Sequence, residues 1–365
     1  MGNILVTKSF LPPLTEYVKC LEKIWDSRHI TNSGPFVIEL EASLQRFLQN
    51  KEVYYVSNGT IALQLAIKAL GLKGEIITTP FSYVATVSSI AWENCKPVFV
   101  DIDASTLTID PGLIEAAISS RTSAILATHV FGNPCDVDAI SKIAKKHNLH
   151  VIYDAAHCFG VKFQGKPITS FGDVSTLSFH ATKIFHTGEG GAVICNSKGV
   201  AHRVEYMRNF GHKGPESFQG LGVNGKNSEL HAAMGVCNLP YLPQLILARK
   251  RIFEIYDGAL IAMTKEVLRP RILLGVESNY SYYPIIFNTE RGLLRAITML
   301  NQQNIFPRRY FYPTLTQLEY VKSLPMPIAD SISERVLCLP LYHDLPDESA
   351  LKVAQIILSA LMAKD

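Results

Sequence analysis

The sequence predicts an α/β protein with a mixed sheet of seven strands in a large first unit and a smaller α/β unit after it. Apolar, β-branched runs alternate with helical patterns through most of the first unit, which is typical of a parallel sheet with helices on both faces. The last two strands have no room for a helix between them, so one of them should run against the others. After Pro240 the alternation becomes sparser, and we divide the chain into units of 1–240 and 241–365.

The elements follow from apolar spacing and from the turn residues that bound each run. The predicted strands of the sheet are Val53–Ser57, Glu75–Thr79, Pro97–Val100, Ser123–Thr128, His150–Tyr153, Val174–Phe179 and Ala192–Cys195. The predicted helices are Thr15–Asp26, Phe36–Leu48, Thr60–Leu70, Tyr83–Glu93, Pro111–Ile118 and Val137–His147, with 1–35 otherwise irregular. In the second unit we expect helices at Leu242–Leu260, Leu293–Gln302 and from Glu348, and a strand at Ser281–Phe287.

The composition excludes several classes of protein. Of the 365 residues, 47% are hydrophobic and 18% charged, and the net charge of +3 is too small to indicate binding to nucleic acid or a membrane surface. No apolar run reaches the roughly 18 residues of a membrane span, and the first residues do not form a signal peptide. The seven cysteines include no CxxC pair, which favours free thiols in the cytoplasm over disulfides or a metal site.

Lys183 lies just past the end of the strand Val174–Phe179, where sheet proteins tend to place their chemistry. Ser178, His180 and Thr182 supply polar groups beside it, and the following GEGG turn lets the backbone approach closely. A lysine packed in this way loses its proton more easily than a solvated one, as a lysine that bonds covalently to a carbonyl cofactor must. The hypothesis is that Lys183 binds pyridoxal 5'-phosphate, and the alternative is a solvated loop lysine.

Asp154 closes the strand His150–Tyr153 in the run VIYDAAHCFG. Burying a carboxylate there is costly without a cationic partner, and a protonated pyridine nitrogen would be such a partner. The alternative is an aspartate that caps the N-terminus of a helix. His157, three residues later, could pack near the same ring or cap the turn.

Two further segments on this edge suit a flat, phosphorylated cofactor. Ser57-Asn58-Gly59-Thr60 ends a strand and opens a helix, so free N–H groups and the helix dipole would make a phosphate seat. A routine Asn-Gly turn is the alternative. Tyr83, in TTPFSYVAT, could stack on the cofactor ring or belong to the core.

Two loops are candidates for contact with a substrate. The segment Ile30–Pro35, which includes Thr31 and Asn32, would border the site or be a plain turn. The run Arg308-Arg309-Tyr310-Phe311-Tyr312 carries two arginines, the side chains best suited to bind phosphate oxygens in pairs. Its alternative is a pair of solvated arginines beside aromatic residues that pack in the second unit.

Taken together, these motifs resemble the DegT/StrS family of pyridoxal-phosphate-dependent nucleotide-sugar aminotransferases. The likeness runs nearly end to end, and its densest blocks are SNGTIALQLA, TTPFSYVAT, HVFGNPCDVDAI, YDAAHCFG, SFHATK and GEGGA. It implies the aspartate aminotransferase type I fold.

The resemblance also implies a role for each site residue. Lys183 would bond to the cofactor, Asp154 pair with its pyridine nitrogen, Tyr83 stack on its ring and His157 lie against it. Gly59, Thr60 and Ser178 would hold the phosphate, with Asn224 of the other subunit of a homodimer. The predicted substrate-binding residues are Thr31, Asn32, His180, Lys226, Arg308, Arg309 and Tyr310. Lys226 stands where the family pattern G-Y-N-x-R-x-S-E has arginine, which puts the role of that position in doubt.

Within the family, SFHATKIFHTGEGGA resembles enzymes that aminate a 4-keto-6-deoxy sugar on dTDP. The implied reaction moves an amino group from glutamate to that sugar, giving dTDP-4-amino-4,6-dideoxyglucose for O-antigen polysaccharide. A UDP- or GDP-linked 4-keto sugar and a 3-keto sugar stay open as acceptors. A non-catalytic regulatory protein that binds the cofactor is a further alternative, whereas a sugar 3-dehydratase would have histidine at Lys183.

Overall fold

The computed structural model describes residues 2–260, 267–321 and 323–363. The helices are α1 Leu14–Ser27, α2 Pro35–Leu48, α3 Gly59–Ala69, α4 Val84–Trp92, α5 Pro111–Ile114, α6 Val137–His147, α7 Lys198–Met207, α8 Glu229–Asn238, α9 Leu242–Leu260, α10 Glu290–Asn301, α11 Pro327–Arg335 and α12 Asp347–Met362. The strands are β1 Ile4–Leu5, β2 Val53–Val56, β3 Glu75–Thr78, β4 Lys96–Phe99, β5 Thr122–Thr128, β6 His150–Asp154, β7 Lys162–Phe163, β8 Lys166–Pro167, β9 Val174–Ser178, β10 Gly191–Cys195, β11 Val267–Leu268, β12 Val276–Glu277, β13 Tyr283–Phe287, β14 Ile305–Phe306 and β15 Val336–Leu339.

The central sheet has seven strands in the order β2-β10-β9-β6-β5-β3-β4, which confirms the predicted mixed sheet. Its strands are parallel except for β10, which runs antiparallel to both neighbours, β2 and β9. The polypeptide therefore returns directly from β9 to β10, and Lys183 lies on that return. The carboxyl ends of the parallel strands meet at the edge where this turn is found.

Alternate residues of the central strands enter two different cores, as the two-residue period of a strand requires. Ile125 of β5 packs with α2 and α6 residues on one face, whereas Ala124 and Leu126 pack with α3 residues on the other. All three side chains are fully buried. Burial on both faces explains why these strands are nearly continuous apolar runs in the sequence.

The part of the chain after α8 forms a second core around the antiparallel sheet β11-β13-β15, with residues of α9, α10 and α12 packed on it. The segment predicted as irregular, 1–35, contributes β1, which pairs in parallel with β14, so the N-terminus joins this later part of the chain. The division at 240/241 stays a prediction. Residues 261–266, 322 and 364–365 of the predicted second unit lie outside the described residues.

Helix boundaries differ from the predicted ones by a few residues, for local reasons. The helix α3 begins at Gly59 because the Asn58 side chain caps its first turn. The helix predicted at Pro111–Ile118 stops at Ile114 and continues as a 3-10 turn, Glu115–Ala117. Among the described helices, none combines the length and the apolar character needed to cross a membrane.

Candidate active site

A cavity of about 320 Å³ opens at the carboxyl ends of the parallel strands. It is lined by ten of the residues that the sequence predicted for the site: Gly59, Thr60, Tyr83, Asp154, His157, Ser178, His180, Lys183, Arg308 and Tyr310. The other five predicted residues, Thr31, Asn32, Asn224, Lys226 and Arg309, lie elsewhere in the described chain. The cavity therefore brings together predicted residues from four strand ends, those of β2, β3, β6 and β9, and from the segment after β14.

Lys183 is half-buried in the turn between β9 and β10. Its backbone N–H donates to the His180 carbonyl at 2.9 Å, which fixes the turn, and its Nζ donates to the Tyr282 hydroxyl at 3.4 Å. Burial lowers the pKa of the Lys183 amine to about 8, although the negative charge of Asp154 opposes the shift. The environment therefore favours a neutral, nucleophilic amine far more than solvent does.

The lowered pKa of Lys183 predicts how cofactor uptake depends on pH. Because only the neutral amine attacks a carbonyl, the rate at which the apoprotein takes up pyridoxal 5'-phosphate should rise about tenfold per unit of pH below the Lys183 pKa of about 8 and then level off. Stopped-flow absorbance from pH 6 to 10 measures this rate, with Nα-acetyl-lysine as the solvated reference. A rate for the protein that kept rising to pH 10, as the reference should, would contradict the prediction.

Asp154 ends β6 and is almost fully buried in the floor of the cavity. Its Oδ1 accepts a hydrogen bond from the Ala156 N–H at 3.1 Å, and its Oδ2 accepts one from the Thr86 hydroxyl at 2.9 Å. Burial raises the pKa of the Asp154 carboxyl, while these two hydrogen bonds and the nearby Lys183 lower it. The carboxyl thus faces the cavity and caps a turn with one oxygen. No helix directly follows Asp154 among the described elements, so the alternative of a helix N-cap is wrong.

His157 is buried beside Asp154, and its ring is fixed by the backbone. Its Nδ1 accepts the Phe131 N–H at 3.1 Å, and burial holds the pKa of the His157 imidazole well below its usual value. The ring is therefore neutral with its proton on Nε2. It stacks at 5.8 Å on Phe311 and contacts Tyr282 at 4.6 Å between ring centres.

The predicted phosphate seat is the N-terminus of α3. Asn58 accepts the Ile61 N–H at 2.8 Å, whereas the Gly59 and Thr60 N–H groups have no intrahelical acceptor at this helix position. A Cβ on Gly59 would lie 3.0 Å from the Ser178 Cβ, and one on Gly191 would lie 2.6 Å from the Asn58 carbonyl carbon. These two glycines let three strand ends meet closely around the exposed N–H groups, which confirms the close backbone approach expected of the GEGG turn.

The mouth of the cavity carries Tyr83 on one side and Arg308 with Tyr310 on the other. Tyr83 is 61% exposed and directly precedes α4, so its ring does not belong to the core. The Arg308 guanidinium lies over the Tyr310 ring at 5.4 Å. His180, also at the mouth, is held by a hydrogen bond of 2.8 Å with the Thr182 hydroxyl.

Arg309 is turned away from the cavity and has a structural role. Its guanidinium forms an ion pair of 2.7 Å with Glu290 and donates to the Glu334 carbonyl, with only 15% of the side chain exposed. The expectation that both arginines line the site is therefore wrong for Arg309, whereas Arg308 lines the cavity.

Asn224 and Lys226 lie on the segment between α7 and α8, outside the cavity of this single chain. Lys226 donates to Asn224 Oδ1 at 2.7 Å and its Nζ lies 4.5 Å from the Phe210 ring centre. The last residue of the same block, Glu229, is fully buried and accepts the N–H groups of Phe36 and Val37 at 2.7 and 2.9 Å. It thereby caps α2 and anchors the loop that carries Thr31 and Asn32.

The sequence was compared with known protein families. The family model of the DegT/DnrJ/EryC1/StrS aminotransferases matches residues 15–358. The chain belongs to this family.

Members of the family resemble the chain over nearly its whole length. The dTDP-4-amino-4,6-dideoxy-D-glucose transaminase of Shigella dysenteriae is 43% identical over 94% of this chain and 95% of its own length. The GDP-perosamine synthase of Vibrio cholerae is 31% identical over 93% and 94%. The solved structure of DesI in the presence of its TDP-sugar product superimposes with a TM-score of 0.93 at 31% identity, covering 99% of this chain and 94% of that chain.

DegT-family aminotransferases depend on pyridoxal phosphate, and the residues of the cavity fit such a cofactor. A Cβ on Gly59 would fill the space between Gly59 and Ser178. The buried Asp154 carboxyl faces the same cavity as the Lys183 amine. This set of donors and acceptors can satisfy three contacts of the cofactor. The first turn of α3 can bind its phosphate, the Asp154 carboxylate can pair with its pyridinium, and the Lys183 amine can bond to its carbonyl.

Two residues of the DegT-family site were not predicted from the sequence. Thr86 bonds to Asp154, and Tyr282 bonds to Lys183. Thr86 follows Tyr83 by three residues, so the helical period could have placed both on the same face at the start of α4. Tyr282 directly precedes β13 in the aromatic run NYSYYP, but its partner is 99 residues away, and the sequence pattern carries no signal for that contact.

Proposed function

We propose that this aminotransferase moves an amino group from glutamate to a dTDP-linked 4-keto-6-deoxy sugar and gives dTDP-4-amino-4,6-dideoxyglucose, with pyridoxal 5'-phosphate as cofactor. The observation that carries the proposal is the convergence of Lys183, Asp154 and the α3 N-terminus in one cavity. The choice of sugar is supported by the 43% identity to a relative named for that product.

Five residues of the cavity have a part in the proposed reaction. When bound, pyridoxal 5'-phosphate supplies a ring that accepts the electron pair left as the α-carbon of the donor loses its proton. Lys183 moves that proton, and its lowered pKa keeps a useful fraction of neutral amine near neutral pH. Asp154 holds a proton on the pyridine nitrogen. The Gly59 and Thr60 N–H groups and Ser178 bind the phosphate.

The alternatives differ in the acceptor or in the presence of catalysis. A GDP-linked acceptor has the support of the Vibrio cholerae relative, but at 31% rather than 43% identity. A UDP-linked sugar and a 3-keto sugar are further alternatives, supported by the 32% identity to a UDP-2-acetamido-2-deoxy-3-oxo-D-glucuronate aminotransferase. A non-catalytic regulatory protein would have no use for a lysine whose pKa is lowered to about 8 in the same cavity as the pyridine partner Asp154.

The proposal can be tested by assaying the purified protein with glutamate and a panel of nucleotide-linked ketosugars as acceptors. We expect release of 2-oxoglutarate with the dTDP-linked 4-keto-6-deoxy sugar, and at least about tenfold lower kcat/KM with the GDP- and UDP-linked sugars, since each lost contact is worth about 1.4 kcal/mol or more. Mass spectrometry of the product identifies the amino sugar. Equal rates with all nucleotides would leave the aminotransferase activity standing and refute the choice of dTDP.

The neighbouring residues Arg308 and Arg309 serve as test and control for binding of the diphosphate of the nucleotide sugar. Arg308→Ala should raise the KM for the nucleotide sugar about 10- to 100-fold, because it removes a charge-assisted contact at the mouth of the cavity. Arg309→Ala should instead lower the melting temperature and leave the KM unchanged, because its guanidinium is bonded to Glu290. The glutamate half-reaction, followed by absorbance, is the control and should be unaffected in both. Loss in both half-reactions for Arg308→Ala would indicate a structural role.

We further propose that the enzyme is a homodimer in which Asn224 completes the partner's site. Asn224 is exposed on a segment that also exposes Phe218 and Leu221 at 70% and 69%, as an interface would require of a separate chain. The cytoplasmic location and the O-antigen pathway stay predictions from the sequence.

Complementation between two inactive variants tests the shared site. Mixing Lys183→Ala subunits with Asn224→Ala subunits should restore roughly a quarter of wild-type activity, since half of randomly exchanged dimers carry one intact site. Each variant incubated alone is the control. No recovery despite subunit exchange shown by native mass spectrometry, or a monomer in sedimentation, would refute the shared site.

A further inference from the structure

A row of three buried hydroxyl groups leads away from the Asp154 carboxylate. Thr86 Oγ1 lies 2.9 Å from Asp154 Oδ2, Ser82 Oγ lies 2.8 Å from Thr86 Oγ1, and Thr128 Oγ1 lies 3.0 Å from Ser82 Oγ. None of the four side chains is more than 6% exposed. Ser82 and Thr86 come from one segment at the start of α4, and Thr128 comes from the end of β5, so two separate parts of the chain are arranged around one carboxyl group.

The direction of these hydrogen bonds follows by elimination. An ionised carboxylate can only accept, so the Thr86 hydroxyl donates to Asp154. Its single proton is then used, and the bond between Thr86 and Ser82 must be donated by Ser82. By the same reasoning Thr128 donates to Ser82. All three O–H dipoles therefore point toward Asp154.

We propose that Thr128, Ser82 and Thr86 form a one-way hydroxyl relay that keeps the Asp154 carboxylate ionised and fixes its orientation in the cavity. Of these residues, only Thr86 touches the carboxylate, and the other two are positioning residues that act through it. The titration of Asp154 that would reveal the relay needs no cofactor. Its value to the reaction rests on the proposed function, in which Asp154 holds the proton of the pyridine nitrogen.

The relay opposes the effect of burial, which favours the protonated form of Asp154. Burial raises the pKa of this carboxyl, and the other titratable groups that face it are Lys183, the neutral His157 and the thiols Cys135 and Cys158. Burial raises the pKa of both thiols above their ordinary value, so they stay uncharged and supply no cation. Lys183 is the one cation in this group. In the chain without cofactor, the Ala156 N–H and the Thr86 hydroxyl are the hydrogen-bond donors that stabilise the ionised form.

The effect of the relay can be measured on the full chain without cofactor. The carboxyl carbon of Asp154, labelled with ¹³C and assigned through its loss in Asp154→Asn, reports the pKa directly by NMR. Thr86→Val keeps the shape of the side chain and removes the donor, so the pKa of Asp154 should rise by about one to two pH units. Thr86→Ser keeps the donor and should stay near the wild-type value.

A matched control lies on the neighbouring strand β3. Thr78 is fully buried, and its hydroxyl has no hydrogen-bond partner among the described residues, so Thr78→Val makes the same chemical change without touching the relay. Ser82→Ala removes the donor to Thr86 and should raise the pKa of Asp154 by less than Thr86→Val does.

The outcomes separate the relay from a general packing effect and from the proposed function. The relay is refuted if Thr86→Val shifts the Asp154 titration no more than Thr78→Val. If Thr86→Val does not fold, Ser82→Ala decides, and a titration equal to that of Thr78→Val overturns the proposal. A chain that shows the shift in Thr86→Val but never takes up pyridoxal 5'-phosphate would support the relay and refute the function. In a chain that does bind the cofactor, Thr86→Val should slow the half-reaction with glutamate, and Thr86→Ser should restore its rate.

Discussion

Replacing Lys183 with alanine is expected to abolish transamination, with a fall in kcat of at least about 10³-fold. Two functions disappear together, because the same amine bonds to the cofactor and moves the proton of the donor. The visible absorbance of the bound cofactor should change as well, since the covalent bond to the protein cannot form. Turnover with glutamate and the nucleotide sugar measures the loss, and the absorption spectrum of the protein mixed with pyridoxal 5'-phosphate reports the missing bond.

The Lys183→Ala variant should nevertheless fold as the wild type does. Burial opposes the charge of Lys183 while the nearby Asp154 carboxylate favours it, so the two effects of the substitution on stability offset each other and the melting temperature should change little. Lys162→Ala is the matched control, because Lys162 is a partly exposed lysine paired with Glu277 across the strands β7 and β12. If Lys183→Ala retained the wild-type rate, Lys183 would have no part in the mechanism.

The second large effect is expected for Asp154→Asn, which should lower kcat by about 10²- to 10³-fold. A neutral amide has the shape of the carboxyl but cannot hold a proton on the pyridine nitrogen. The phosphate seat on α3 is separate from this contact, so the cofactor should still bind. Rates of the two half-reactions, together with the dissociation constant of the cofactor, distinguish a loss of reactivity from a loss of binding.

The control for this change is an aspartate whose only described role is to cap a helix. Asp136 accepts the Ala139 N–H at the start of α6, and asparagine caps helices equally well, so Asp136→Asn should leave both rates and stability unchanged. If Asp154→Asn behaved in the same way, with unchanged turnover, the Ala156 hydrogen bond would be the whole role of Asp154.

The sheet could be predicted because its strands are buried on both faces and therefore appear as short, continuous apolar runs. The missed elements lack such a pattern. In α8, buried residues lie on several sides of the helix, because it contacts both α1 and α2, and a Cβ on Gly235 would come 2.7 Å from the Thr187 side chain. The two residues of β1 are too few to show a period, and their partner β14 is about 300 residues away in the chain.

Most of the cavity could be predicted because its residues directly follow strands, where parallel sheets bring side chains together. The error at Arg309 has a simple geometric cause. The chain is extended at Arg308, which pairs with Cys338, and successive residues of an extended chain point to opposite sides. A sequence with two adjacent arginines does not indicate which one faces the site. The hydroxyl relay was missed because it depends on the meeting of Ser82 and Thr86 with Thr128, about 45 residues later in the chain.

The position of β10 in the sheet has a consequence for the chain as it leaves the ribosome. The edge strand β2 pairs only with β10 in the described sheet, and roughly 135 residues separate the two, which a ribosome adds in about 7 to 27 s at ordinary elongation rates. Until then both edges of β2 are unpaired and open to other nascent chains, and the α3 N-terminus has not met Ser178. Newly made protein should therefore depend on chaperones during this interval, and it cannot acquire its cofactor before β10 has been synthesised.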